Sequence, residues 1–289
     1  MGSERLLIHG SPSMESPRLL LGFSGWMNGG EVATGVTGYF VEKLDADLLA
    51  EINSEDFYIF NIPGTMELVS RFRPMVSIRD GIVQNIEIPE NTFYYSEENN
   101  LIILVGNEPH MKWPEFSKCI FEIVKKFDVS IIYSINAVGG PVPHTRQPRL
   151  HATISNKNME PGFQQLGVSI TNYTGPSGIS SYLIRDAAEN GVPMANVIAE
   201  IPPYVHGRND MCIEFIVKVF CGLLLIYFEH DDLKRMGEQL EDKLNKALED
   251  YPELLERIRE LEDNYDRAVF DMNMDEMKHW LEDRGIRLD

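Results

Sequence analysis

A chain of 289 residues can hold one large α/β domain with an appendage, or two modest domains, and in either case it can bury a sizeable core. With 43% hydrophobic and 25% charged residues and no excess of Pro or Gly, its composition is ordinary for a soluble protein and argues against disorder. The formal charge of −19, offset by no Lys/Arg cluster, argues against nucleic acid and anionic membrane surfaces as partners.

The N-terminus, MGSERLLIHGSP, has no long apolar h-region of a signal peptide, and a cytoplasmic location is expected. Runs rich in β-branched and aromatic residues predict strands at 18–23, 57–61, 82–88, 101–106, 130–136, 168–171 and 195–201. Phe116, Cys119, Ile120, Ile123, Val124 and Phe127 form a helical stripe. Ile179, Leu183 and Ala187 form another, stopped by Asn190-Gly191. LIILVG and SIIYSI are apolar without alternation, as strands covered on both faces are. The expected fold class is α/β: a three-layer α/β/α domain around a mostly parallel or mixed sheet. The apolar stretch from Phe215 to Phe228 contains Lys218 and is too short for the roughly 20 residues of a membrane span, so a buried helix is expected there.

Composition changes at Glu229. Residues 229–289 hold 20 acidic against 10 basic residues, about half of the net negative charge. Leu233, Met236, Leu240, Leu244 and Leu248 predict one helix, Pro252 opens a second, and Asn273 with Glu276 marks the start of a third. The expected organisation is a 1–228 α/β/α core and a 229–289 acidic helical extension. That extension either packs on the core or offers its Leu/Met stripe to a partner.

No recognised catalytic motif is complete. The loop GFSGWMNGGEVATG, residues 22–35, lacks the Gly-Lys-Ser/Thr ending of a phosphate loop, and Gly22, Gly25, Gly29 and Gly30 miss the GxGxxG spacing. It reads either as a close strand–helix connection or as an anion seat at a helix N-terminus. Gly22-Phe23-Ser24 and Gly175-Pro176-Ser177 begin like nucleophile elbows, but Trp26 and Ile179 stand where the second glycine belongs. Cys119, Cys212 and Cys221 are too scattered for a disulfide framework or a metal knuckle, and no metal site is expected. The densest polar loop is Val138 to Pro148. There His144 and Arg146 offer a proton donor and a fork for an anion, or else satisfy protein groups or an interface.

Several of these residues fall into an order that resembles a known family. Gly22-Phe-Ser-Gly-Trp26 is followed by Phe72-Arg73-Pro74, Asp80-Gly81 with Ile88-Pro89, and Val105-Gly-Asn-Glu-Pro109 with Trp113 and Phe116. Pro143-His-Thr-Arg146 and Thr174-Gly-Pro-Ser-Gly-Ile179 complete the series. Together they resemble proteins similar to the second proteasome assembly chaperone, in the bacterial branch with a helical C-terminal extension. Three positions depart from the family pattern: Gln147 interrupts Pro-His-Thr-Arg-Pro, Pro203 replaces a His, and Asn28-Gly29 replaces an acidic turn. The ending Arg287-Leu288-Asp289 is not the hydrophobic-Tyr-any tripeptide with which archaeal relatives dock on proteasome rings.

The resemblance implies a phosphorylase/hydrolase-like fold and a homo-oligomer, a trimer being one arrangement, without catalytic residues or cofactor and with other proteins as possible partners. The alternative is a small-molecule- or nucleotide-binding enzyme, ATP-grasp-like ligase or hydrolase, with its site at the glycine loop and the His144/Arg146 loop. Candidate ligand-binding or interface residues are Ser24, Trp26, Asn28, Gly29, Gly30, Arg73, His144, Thr145, Arg146, Ser177 and Tyr204.

Overall fold

The computed structural model describes residues 5–282. Its eleven strands are β1 (Leu6–Ile8), β2 (Arg18–Ser24), β3 (Asp47–Ile52), β4 (Met75–Arg79), β5 (Ile82–Glu87), β6 (Thr92–Ser96), β7 (Leu101–Asn107), β8 (Ile131–Gly139), β9 (Leu150–Ile154), β10 (Ser169–Ile170) and β11 (Met194–Ile201). The helices are α1 (Val32–Lys43), α2 (Met66–Ser70), α3 (Trp113–Lys126), α4 (Glu160–Gln165), α5 (Ile179–Asn190), α6 (Asp210–Leu224), α7 (Asp231–Glu249) and α8 (Pro252–Glu282).

Nine strands form one mixed sheet in the order β1-β3-β6-β7-β2-β8-β11-β9-β10. Its centre, β7-β2-β8-β11, is parallel, while β6 and β9 flank it antiparallel. Each central strand feeds two cores because successive side chains point to opposite faces. Leu19 and Leu21 of β2 pack with Phe116, Ile120 and Leu183 from α3 and α5, whereas Leu20 joins Val36, Phe40, Ile213 and Phe220 from α1 and α6. These are the three layers, and they explain why β2 and β7 read as unbroken apolar runs.

Chain connectivity moves from β2 outward to β7 and then back across β2 to β8. The reversal places a crevice beyond the carboxyl ends of β2 and β8, where ligands of open α/β sheets usually sit. The glycine loop and the His144 loop leave this edge, whereas the Gly175–Gly178 loop follows β10, antiparallel to β8 and β11, and reaches the edge only at the start of α5. Across one side of it lies the C-terminal helix pair: α7 packs on α6 through buried Leu233, and α8 folds back against α7.

Four expectations are corrected. Residues 57–61 are not a strand: Phe57 is a core plug stacked edge-on against Phe116, and its carbonyl accepts from His110 and Met111. The 82–88 strand exists as β5, but it pairs only with β4 in a separate ribbon. The buried helix ends at Leu224, because Leu225 takes a left-handed conformation (φ 51°) and Tyr227 turns out to solvent. No third helix begins near Asn273, since α8 runs on through it to Glu282. Arg287-Leu288-Asp289 lies outside the described residues. Strands β1, β3, β4, β6 and β9 were not anticipated from the sequence.

Candidate functional site

The glycine loop is built for close packing. A Cβ at Gly22 would stand 2.5 Å from the Ala33 carbonyl oxygen, so only glycine lets β2 run this near α1. Gly25 turns the chain with φ +137°, a conformation that L side chains rarely adopt, and any side chain there would meet Glu108. At the start of α1, Asn28 Oδ1 accepts from Ala33 N (2.9 Å) and Thr34 N (3.3 Å), and Asn28 Nδ2 donates to Thr34 Oγ1. The donors an anion would use at this helix end are therefore satisfied by protein. Ser24 Oγ donates to Asn107 Oδ1, tying β2 to β7.

Glu108, which follows β7, plays the corresponding part for the next helix. Its Oε1 accepts from Ile179 N at the first turn of α5 (2.8 Å) and its Oε2 from Trp26 N (3.2 Å). A carboxylate at a helix N-terminus is favoured by the helix dipole. The first turn of α5 is thus met by a carboxylate of the chain itself.

The His144 loop is likewise engaged from within. The imidazole is buried: Nδ1 lies 2.9 Å from Tyr204 Oη, and Nε2 lies 3.1 Å from Asn245 Oδ1 on α7. The Tyr204 hydroxyl also accepts from the His144 backbone N–H, and burial pushes its pKa up. Thr145 donates to Glu262, and Arg146 forks onto both Asp266 oxygens at 2.8 Å each, with Glu262 at 3.7 Å. This pairing holds Asp266 below the usual carboxylate range and Arg146 firmly protonated. Tyr265 donates to the Gln147 carbonyl, and Arg149 stacks over its ring.

Trp26 instead lines a different cleft of ≈ 380 Å³ with Tyr173, Pro176, Asn196, His151 and Glu200, at the carboxyl ends of β8 and β11; His144 is not part of it. Asn196 belongs to a buried polar set with Ser134, Asn136 and Ser180. His151 Nε2 lies 3.2 Å from Glu200 Oε1 in poor hydrogen-bond alignment, and this contact holds Glu200 below its ordinary range. Gly29 and Gly30 pack against Ala137, Ile201 and Asn209. Arg73 lies apart from both loops, bonded to Asn61 Oδ1 at the root of the β4–β5 ribbon, and Ser177 sits exposed before α5. Among the described residues, no group of three or more His, Cys, Asp or Glu side chains could hold a metal ion. Glu108, read only as part of the family series, and the receiving residues Asn245, Glu262 and Asp266 were not among the candidate site residues, because their partners stand 71 to 120 residues away.

The sequence profile of the PAC2 family matches residues 22–248. The chain belongs to the PAC2 family. A Mycobacterium tuberculosis protein of unknown function superposes with a TM-score of 0.80 at 17% identity, covering 93% of each chain. A second solved structure, that of an M. tuberculosis proteasome-assembly chaperone homologue, gives 0.70 at 21% identity over 80% of this chain and 95% of its own. PbaB of Pyrococcus furiosus, an archaeal proteasome activator, gives 0.63 at 16% identity over 84% and 97%. These likenesses, all under 25% identical, show that the chain shares their fold. No curated protein matches the chain.

Proposed function

We propose that this PAC2 chain is a non-catalytic, self-associating protein of the proteasome-assembly-chaperone type, acting through protein surfaces in the cytoplasm. The carrying observation is that the groups best suited to chemistry are already committed to protein. Asn28 and Glu108 cap the N-termini of α1 and α5, and His144, Thr145 and Arg146 bind α7 and α8. The same observation counts against a site at the His144/Arg146 loop and supports its role as a seat for residues 229–289, the proposed extension of a 1–228 core. No described helix is long and apolar enough to cross a membrane. Native mass spectrometry of the purified protein, alone and mixed with proteasome subunits from the same source, tests the proposal. Oligomers and a mixed complex are expected. A monomer that binds no subunit and turns over a substrate would overturn it.

A second reading draws on the Trp26–Tyr173 cleft, whose size lies in the range of small-molecule sites. Its lining has no Lys or Arg, which disfavours a nucleotide triphosphate and hence ATP-grasp chemistry. Thermal-shift screening with nucleotides and neutral heterocycles tests it, because a ligand bound only by the folded state raises Tm.

A further inference from the structure

The cleft beside Trp26 is a trough floored by the main sheet. Asn196, Ile198 and Glu200 alternate along β11 and therefore share one face. In the register, Thr153 and His151 of β9 lie opposite Asn196 and Ile198, and Val138 of β8 lies opposite Glu200. From Asn196 to Glu200 the floor runs about 13 Å, at roughly 3.3 Å per residue. Trp26, from the loop after β2, and Tyr173, from the loop after β10, belong to the lining yet stay exposed at 57% and 68%.

The two ends of the trough differ in chemistry. At one end Glu200 is short of donors: His151 Nε2 stands 3.2 Å from Oε1 in poor alignment, and Oε2 is buried with no hydrogen-bond partner. A buried carboxylate oxygen without a donor is costly, so this end favours a ligand that brings one. Arg149, whose charge also acts on Glu200, stacks over the Tyr265 ring and is not part of the lining. At the other end Asn196 is only 3% exposed, and its Oδ1 accepts from Asn136 Nδ2. That leaves the Asn196 amide N–H groups as donors to the cleft, with the Thr153 hydroxyl beside them. Ile198 separates the two polar ends.

Three features select the same sign of ligand. The lining holds one carboxylate and no Lys or Arg, and the chain as a whole carries −19, which draws cations and repels anions. Aromatic faces attract an ammonium group, tryptophan most strongly. An ammonium also gives a carboxylate a charge-assisted hydrogen bond, roughly twice as strong as one between neutral groups. A volume of ≈ 380 Å³ suits a small molecule with a short apolar body.

We propose that this trough takes a small organic cation: a primary amine on a flat apolar body, with its ammonium on Glu200, its body against Trp26 and Tyr173, and an acceptor oxygen towards Asn196. This rests on the second reading above, that the cleft holds a small molecule, and names the ligand class. The test is isothermal titration calorimetry of the full-length protein with tyramine, which has this pattern. Its alcohol and carboxylate counterparts, tyrosol and 4-hydroxyphenylacetate, keep the phenol and change the group meant for Glu200. Tyramine is expected to bind about ten- to a hundredfold more tightly than tyrosol, and 4-hydroxyphenylacetate not at all. Glu200→Gln should bring tyramine down to the level of tyrosol with an unchanged circular-dichroism spectrum. Tyrosol binding the wild type as tightly as tyramine overturns the cation assignment while the small-molecule cleft stands, and this comparison needs no variant. Tyramine held equally by Glu200→Gln overturns the placement of its ammonium. Failure of all three compounds, with a neutral heterocycle still raising Tm, overturns the cation alone; failure of every compound overturns the cleft reading as well.

Discussion

At the scale of single residues, Glu108 does more for the carboxyl edge than any side chain the sequence singled out. One carboxylate joins the loop after β2 to the first turn of α5, and Glu108→Ala strands the Trp26 and Ile179 amides together. A loss of about 1–3 kcal/mol is expected, read as a lower urea midpoint at unchanged slope. The sequence contains Glu108 in plain view within Gly-Asn-Glu-Pro, yet its partners lie 82 and 71 positions away, and no periodicity connects them. The same limit hid the fate of His144 and Arg146. Their capacity to bind was legible from residue type, but what they bind is set by where α7 and α8 dock. Asp232 shows the effect in ionisation. Lys43 at 2.8 Å and the Tyr39 hydroxyl at 2.6 Å depress its pKa at the start of α7. A depressed carboxylate contributes stability above its unfolded pKa, about 4, and that contribution fades as pH falls towards the folded value. Asp232→Asn should therefore lower Tm near neutrality and flatten its decline from about pH 4 downward, measured by calorimetry across pH.

Elements were read well where burial was simple. β2, β7, β8 and β11 are covered by helices on both faces, so an unbroken apolar run sufficed to find them. β3, β6 and β9 lie nearer the edges, mix buried with partly or fully exposed positions over five or six residues, and carry too little pattern to separate from loops. Residues 57–61 failed for the opposite reason, because aromatics that plug a core look like aromatics in a strand. The α6–α7 contact depends on Gly237, where a Cβ would lie 3.2 Å from the Met211 Cα. Gly237→Val should push α7 away at a cost of about 1–3 kcal/mol. Hydrogen exchange should then accelerate in α7, α8 and the 140–149 loop together, while β2 and β7 keep their protection.

For the whole molecule, shape and charge act against each other. The β4–β5 ribbon is exposed and residues 71–90 are neutral in sum, while the net −19 of the whole chain opposes the self-association proposed above. Added salt shortens the Debye length from roughly 10 Å at about 0.1 M to roughly 3 Å at about 1 M and so weakens the repulsion. Association should tighten severalfold over that range, measured by sedimentation equilibrium. An interface held by ion pairs would loosen instead. The fold class was legible from alternating strands and helices, whereas the separation of the β4–β5 ribbon from the main sheet was not, since an apolar strand reads alike whether or not its face is covered.

The bonds from His144 to Asn245, Thr145 to Glu262 and Arg146 to Asp266 span 101, 117 and 120 residues. A ribosome adding about 5–20 residues per second leaves that loop waiting on the order of ten seconds for its partners to emerge. Through that interval the carboxyl edge is open and its polar groups meet only water. Docking of α7 and α8 closes it, so a chain that stops before them keeps an unfinished face.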